Sequence, residues 1–336
     1  MKDSDQESQN TLLRRLYATI FNGKNPKWKY YLYSYIRLRI PAWYLKRKLR
    51  STLAKATYRS DYADILERRN YYCKLGPATA IPSDATPIAD VKIKGQKVYP
   101  LDTLRFARWF DLSNKISLLP GDIIHIPQEP SIVKSRPIGD NNANSILLCL
   151  DAVRHFILLK DKIPFAQKID KALFRGRTRG NVLRTKLMED YINSSLIDVG
   201  DVDKPGRIPE EWRVLKLTIP EQLKYKFIIA LEGNDVASNL KWIMSSNSVA
   251  VMPKPKYETW FMEGRLIGGY HYIEVLPDLS DLEQKIRYYI EHPWEAEEII
   301  AHAHEYVDQF RDPEREKITS LLTLQRYFEA TGQNPI

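Results

Sequence analysis

Two apolar runs, Phe227 to Leu231 and Val249 to Met252, flank a polar turn and a stretch of helical spacing. No other part of the chain restricts the fold as much. Phe227 to Leu231 has no polar alternation, which is the pattern of a strand buried on both faces. Glu232-Gly233-Asn234-Asp235 breaks the run, and Val236 to Met244 then spaces its apolar residues as a helix does. Strand, turn, helix, strand is the unit from which parallel sheets are built. Ligands of such sheets gather at the carboxyl ends of the strands, where this turn falls.

The flanking sequence extends the pattern. Ala172 to Phe174 reads as a strand, Arg175 to Gly180 as a basic glycine-bearing turn, Asn181 to Tyr191 as a helix and Leu196 to Val199 as a strand. Ile219 to Leu223 is a short helical step, and His271 to Val275 is a further strand. Helices are expected over Asp281 to His292, Trp294 to Phe310 and Pro313 to Ala330. The first half is less regular. Residues 1–75 read as helical with breaks at Pro26 and Pro41, and a short strand is expected near Val91 to Val98. Leu104 to Phe110 is expected to be helical, Ser131 to Ile138 a strand, and Ile146 to Lys160 a helix. The expected division is 1–75, a basic aromatic helical region; 76–163, an acceptor-side domain; 164–312, a Rossmann-like domain; and 313–336, a last helix returning towards the first domain.

Charge is placed unevenly. The chain of 336 residues carries a net +9, yet residues 11–60 hold thirteen Lys or Arg and no Asp or Glu. Residues 61–336 sum to −2. Trp28, Tyr30, Tyr31, Tyr33, Tyr35, Trp43 and Tyr44 interleave with these cations. That mixture suits an anionic membrane surface, a nucleic acid, or an ordinary solvated basic face. No run approaches the roughly 18 apolar residues of a membrane span, and the first ten residues are polar, so no signal peptide is expected. Only Cys73 and Cys149 occur, which speaks for a reducing, cytoplasmic compartment.

Two strand-end turns are candidate anion sites. In the first, Gly176 lets backbone approach a ligand and Arg175 can fork two phosphate oxygens. The second offers Gly233, Asn234, Ser238, Asn239 and Lys241. There is no GxxxxGK[ST], no GxGxxG and no HExxH. Asp201-Val202-Asp203 has the spacing of a metal-binding pair but reads as a solvated turn, and His302 and His304 read as structural. In the first half Asp122 stands between two apolar segments, where desolvation raises a carboxyl pKa and suits it to general-base work. Lys134, Ser135, Arg136 and Asn144 are expected to form a polar, cationic rim for an anionic or hydroxyl-rich acceptor.

Four ordered motifs carry a resemblance. They are Phe174-Arg-Gly, Tyr225-Lys-Phe with Glu232-Gly233 following, Val236-Ala-Ser-Asn-Leu-Lys-Trp, and His271-Tyr-Ile with Asp278-Leu-Ser-Asp-Leu. Together they resemble glycosyltransferase family 90, and its bacterial lipopolysaccharide-core group in particular, whose members share the segments seen here at 121–127 and 133–138. The resemblance covers roughly residues 115–325. It implies a GT-B architecture, with two Rossmann-like domains facing across a cleft and the helical basic region as an extension. It also implies an inverting, metal-independent hexosyltransferase that needs no cofactor and takes a UDP-sugar as donor. The acceptor it implies is a lipid-linked inner-core oligosaccharide; the basic aromatic stretch 11–60, outside the resemblance, is expected to hold the chain at the inner face of an anionic bacterial membrane. By the same likeness Asp122 would be the base, and Arg175, Gly176, Tyr225, Glu232, Gly233, Asn234, Ser238, Asn239 and Lys241 would hold the donor. Relatives place an arginine near Asn239, and Lys241 is expected to replace it at the diphosphate. Capsule or protein hydroxyls as acceptor, and a non-enzymatic nucleic-acid-binding role for the basic stretch, are the alternatives.

Overall fold

Every strand of the second half that the apolar runs mark is found in one sheet. The structure is a computed structural model and describes residues 22–335; Arg14 and Arg15 of the basic stretch lie outside the described residues. In chain order the elements begin with helices α1 (Lys27–Leu38), α2 (Ala42–Ala56) and α3 (Tyr62–Tyr72). Pro26 and Pro41 sit in extended backbone directly before α1 and α2, so the expected breaks are helix starts, where a proline's missing N–H costs nothing. There follow β1 (Thr86–Pro87), α4 (Val98–Ala107), β2 (Lys115–Ile116), β3 (Ser131–Val133), β4 (Ser135–Pro137), β5 (Ser145–Leu147) and α5 (Ala152–His155).

The second half runs β6 (Ile169–Gly176), α6 (Val182–Tyr191), β7 (Ile197–Asp201), α7 (Ile219–Gln222), β8 (Tyr225–Ile229), α8 (Leu240–Met244), β9 (Val249–Met252), β10 (Tyr257–Thr259), β11 (Ile273–Glu274), α9 (Leu282–Glu291), α10 (Pro293–Asp308) and α11 (Pro313–Ala330). Five of these strands form one parallel sheet in the order β11-β9-β8-β6-β7. Numbered by chain order within the sheet this is 2-1-3-4-5, whose direction of winding reverses between β6 and β8.

Both faces of the sheet are buried. Phe227, Ile229, Leu231, Val249 and Val251 pack under α6, α9 and the start of α10. Ile228, Ala230, Ala250 and Met252 point the other way, into a core shared with α8, α11 and much of the first half, from Leu49 to Leu150. Two-sided burial is the physical cause of the unbroken apolar runs.

The first half departs from expectation in three places. Val91 to Val98 forms no strand; a 3-10 turn at Ile88–Asp90 and unpaired chain lead into α4. Ile146 to Lys160 is not one helix: Ile146 and Leu147 lie in β5, and a single helical turn follows Asp151, whose backbone is left-handed (φ 51°). A short, wholly buried apolar run does not distinguish strand from helix. The expected second Rossmann-like unit is a rudiment, with β3 and β5 parallel and Leu118 bridging Ile132. Pro120, Pro127, Pro130 and Pro137 interrupt its strands.

Two of the contacts that tie the halves together lie at and just after β10. β4 pairs antiparallel with β10, which sets the buried Arg136 guanidinium 2.7 Å from Glu258. Trp260 stacks on Tyr72 of α3 with centroids 3.8 Å apart, and its indole N–H donates to Glu316 of α11. Arg68 of α3 ion-pairs the same carboxylate at 2.7 Å. Trp260 is 1% exposed, so Trp260→Ala is expected to lower the unfolding free energy by about 3–5 kcal/mol. An earlier urea midpoint with an intact sheet signal in circular dichroism would show it; an unchanged midpoint would contradict this role for the seam.

Candidate active site

The turn after β8 is held from both sides. Asn181 caps α6 by accepting from Arg184 N (3.0 Å) and donates its amide across to the carbonyls of Glu232 (3.1 Å) and Gly233 (3.3 Å). Arg184 donates to the Leu231 carbonyl at 2.7 Å. A Cβ on Gly233 would come within 3.3 Å of that guanidinium, so the glycine serves a close approach. On the far side Glu232 Oε1 accepts from the backbone N–H groups of Lys256 (2.9 Å) and Tyr257 (3.1 Å). Burial raises the Glu232 carboxyl pKa, against the pull of those two N–H groups. Beyond the carboxyl ends of β8 and β9 opens a cavity of about 80 Å³, lined by Ala230, Glu232, Val236, Ala237, Met252, Tyr257 and the exposed Lys254 and Lys256.

A second cavity, about 740 Å³, lies on the other side of the same turn and is lined by Lys27, Tyr31, Lys97, Tyr99, Asp122, Asp151, Arg154 and Asn234. Asn234 donates to Asp122 at 3.2 Å. Lys134, 1% exposed, contacts Asp122 directly and reaches Asp235 at 2.7 Å. Arg154 lies 3.5 Å from Asp122 and 2.7 Å from Asp151. Burial works to raise the Asp122 pKa, but Lys134, Asn234 and Arg154 outweigh it and the net shift is downward. The expectation of a raised carboxyl is therefore corrected: the two apolar segments do not isolate it from cations. Asp151, in left-handed backbone, is the carboxyl that burial raises, even with Arg154 beside it.

Several residues named from the sequence are not brought to either cavity. The Arg175 guanidinium lies along the sheet against Asp198 (2.6 Å) of β7 and the carbonyls of Phe174 and Asp198 (both 2.9 Å). Tyr225 donates to the same Asp198 at 2.8 Å. Gly176 is packed against Phe174, whose ring a Cβ would meet at 2.5 Å. Lys241 is fully buried and paired with Glu263, also buried, which accepts from Thr259 N at 2.6 Å. Asn239 donates to the Ile229 carbonyl at 3.2 Å, and Ser238 is exposed.

The expected cationic rim is likewise interior. Arg136 is engaged by Glu258, and Ser135 donates to the Ile123 carbonyl at 3.1 Å. Asn144 donates to the carbonyls of Pro127 and Gln128. Pairing of β4 with β10 encloses Ser135 and Arg136, while Asn144 is half-buried. Asp201, read as part of a solvated turn, is fully buried at the end of β7, accepting from Thr178 N (2.8 Å), the Thr178 hydroxyl (2.5 Å) and Asp203 N (2.7 Å). His304 bonds the Ser246 carbonyl at 2.8 Å and His302 stacks on Tyr270. Among the described residues no three His, Cys, Asp or Glu side chains group as metal ligands do.

Asn181, Arg184, Tyr99, Asp151 and Arg154 were not singled out from the sequence. The last two form an i, i+3 ion pair in Leu-Asp-Ala-Val-Arg-His, a signal hidden when the segment is read as one long helix. The arrangement offers two chambers separated by one polar turn. One is apolar with cations at its lip, and the other is polar with a carboxylate held ionised.

Known proteins share this arrangement of sequence. The family model described as Glycosyl transferase family 90 matches residues 151–318. The chain is 39% identical over 307 residues to the O-glucosyltransferase LpsA of Dichelobacter nodosus, covering 90% of this chain and 95% of that one. It is 26% identical over 174 residues to protein O-glucosyltransferase 3 of Rattus norvegicus, covering 50% of this chain and 34% of that one. On this evidence of sequence and fold the chain belongs to glycosyltransferase family 90.

Proposed function

We propose that this glycosyltransferase moves a hexose, glucose or galactose, from a UDP-sugar to a hydroxyl of the lipopolysaccharide inner core, with inversion and without a metal ion. The observation that carries the reading is the turn 232–235, which walls a cavity at the carboxyl ends of β8 and β9 on one side and a carboxylate-bearing cavity on the other. Similarity to the Dichelobacter O-glucosyltransferase supports a hexose donor and a hydroxyl acceptor. In this reading the donor lies over the carboxyl ends of β8 and β9, and the two halves act as the two sides of a GT-B cleft. The acceptor enters beside Lys27, Lys97 and Arg154, cations suited to a phosphorylated oligosaccharide.

The acceptor oxygen attacks the anomeric carbon while the bond from that carbon to the diphosphate oxygen breaks, leaving its electron pair on the UDP. Asp122 takes the hydroxyl proton. A carboxylate held below its ordinary range is a weak base, so proton transfer runs late, after the attacking hydroxyl has become acidic. Charge on the departing diphosphate falls to Lys254 and Lys256 at the lip, while Arg184 holds the turn behind them. Arg175 and Lys241, being paired within the protein, support the scaffold. The enzyme works at the cytoplasmic face of the inner membrane.

UDP release over a panel of UDP-sugars, with truncated core oligosaccharide as acceptor and EDTA present, tests the reaction; strict dependence on an added divalent ion would overturn the metal-free part. Asp122→Asn is expected to lower kcat by roughly 10³-fold with UDP affinity within about twofold. The Asp122 pKa is shifted downward, so kcat/KM is expected to stay level as pH falls until below the ordinary Asp value of about 3.9. An acid limb above that value would assign the base to Asp151, whose pKa is raised. Replacing Lys254 and Lys256 together by Ala is expected to raise the donor KM roughly tenfold. Lys241→Met should instead leave the donor KM unchanged and destabilise by about 3–5 kcal/mol, because Glu263 stays buried without its partner. Equal donor KM values for the lysine pair and wild type would remove the lip from the diphosphate site.

A further inference from the structure

Helices α1 and α2 turn their least water-compatible side outward. On α1, Tyr30 and Ser34 face the rest of the molecule, Tyr30 donating to the buried Asp102 at 2.7 Å. The opposite side exposes Trp28 (65%), Leu32, Tyr33, Tyr35 and Ile36. On α2, Leu45, Leu49 and Ala56 are buried, while Trp43 (68%) and Tyr44 are exposed. Arg47 and Arg50 follow Trp43 at helical spacing and are exposed too. Over residues 22–60 there are eleven Lys or Arg and no Asp or Glu. An exposed apolar patch of this kind marks an interaction surface.

We infer that this face lies on an anionic lipid bilayer, with the aromatic and aliphatic side chains in the headgroup layer and the cations around them on lipid phosphates. In-plane helices with one apolar and one basic side bind such surfaces, and amphipathic Trp and Tyr favour the interface. Charge complementarity selects this occupant. Lys46 is paired with Asp111, and Arg59 with Asp61 and Asp312, but a second copy of the same face would still set the exposed Arg47 and Arg50 and their basic neighbours against like charges, which repels. A nucleic acid would use the cations and the rings but not Leu32 and Ile36, which offer no stacking surface. Among the described residues no helix is long and apolar enough to cross a membrane, so contact is made along the surface.

The same helix borders the cavity that holds Asp122. Lys27 and Tyr31 line it, while Trp28 and Leu32, their neighbours in sequence, face outward. A cavity mouth beside the docked helix lets a glycolipid acceptor keep its acyl chains in the bilayer while its sugars enter past Lys27. This second step rests on the reading of that cavity as the acceptor site; the docking itself does not.

The full chain is sedimented with vesicles of phosphatidylcholine containing phosphatidylglycerol and with vesicles of phosphatidylcholine alone. Wild type is expected to bind the first, more weakly as salt rises, and the second at least about tenfold less. Replacing Trp28, Leu32 and Trp43 together by Ser, or Arg47 and Arg50 together by Glu, is expected to cut partitioning by roughly tenfold or more. Both variants should keep the wild-type rate on a delipidated, water-soluble core oligosaccharide and lose rate on vesicle-embedded acceptor. Wild type that ignores the anionic vesicles, or a serine variant that binds them as wild type does, overturns the inference. So does light scattering in which the serine variant merely converts a dimer to a monomer, or a duplex gel shift abolished by the glutamates while vesicles go unbound. Vesicle binding with no transferase activity would leave the docking surface intact and remove the proposed reaction instead.

Discussion

The Lys134 ammonium holds the two sides of the site in register. It is buried, it contacts Asp122 of the first half, and it lies 2.7 Å from Asp235 of the turn after β8. Without a cation between them, two carboxylates brought from different halves into a shared low-dielectric space would repel. With it, their charges are compensated and the turn is placed against the loop that carries Asp122. Arg154 and Asn234 continue this lattice at its exposed edge. Deleting one partner of such a buried cluster leaves the rest uncompensated, so the geometry of both cavities depends on a residue that lines neither.

The same logic separates what was legible in the sequence from what was not. Backbone was legible wherever burial imposes a periodicity: Val249–Met252 and Pro313–Ala330 lie where the apolar spacing puts them. The turn 232–235 was legible because polar residues interrupt an apolar run. Side-chain direction was not. Arg175 and Asp198 are neighbours only after β6 and β7 pair, and Lys241 meets Glu263 only after β10 has folded back. A basic residue near a strand end looks available in one dimension and finds its partner in three. In the first half strands of two or three residues leave too little pattern, so β5 and the strained turn at Asp151 read as one helix.

The sheet joins these observations. One of its faces is covered by helices of the second half and the other by residues drawn from nearly the whole chain. A doubly wound sheet needs both faces covered, so the first half acts as a lid on the sheet as well as a wall of the cleft. Arg136 shows the cost of that arrangement. A residue that a free-standing domain would offer to solvent is here enclosed by β10 and neutralised by Glu258.

The helix α11 supplies Leu321, Leu324, Tyr327 and Phe328 to the core that also holds Leu49 and Tyr72. On the ribosome the first three helices emerge long before that partner exists. The apolar side that α3 turns towards α11 must wait, uncovered, through the synthesis of the entire parallel sheet. Vectorial folding therefore leaves the first half without its closed core until α11 has been made. A chain lacking α11 would carry a complete sheet and an open seam, the kind of product that chaperones and proteases recognise.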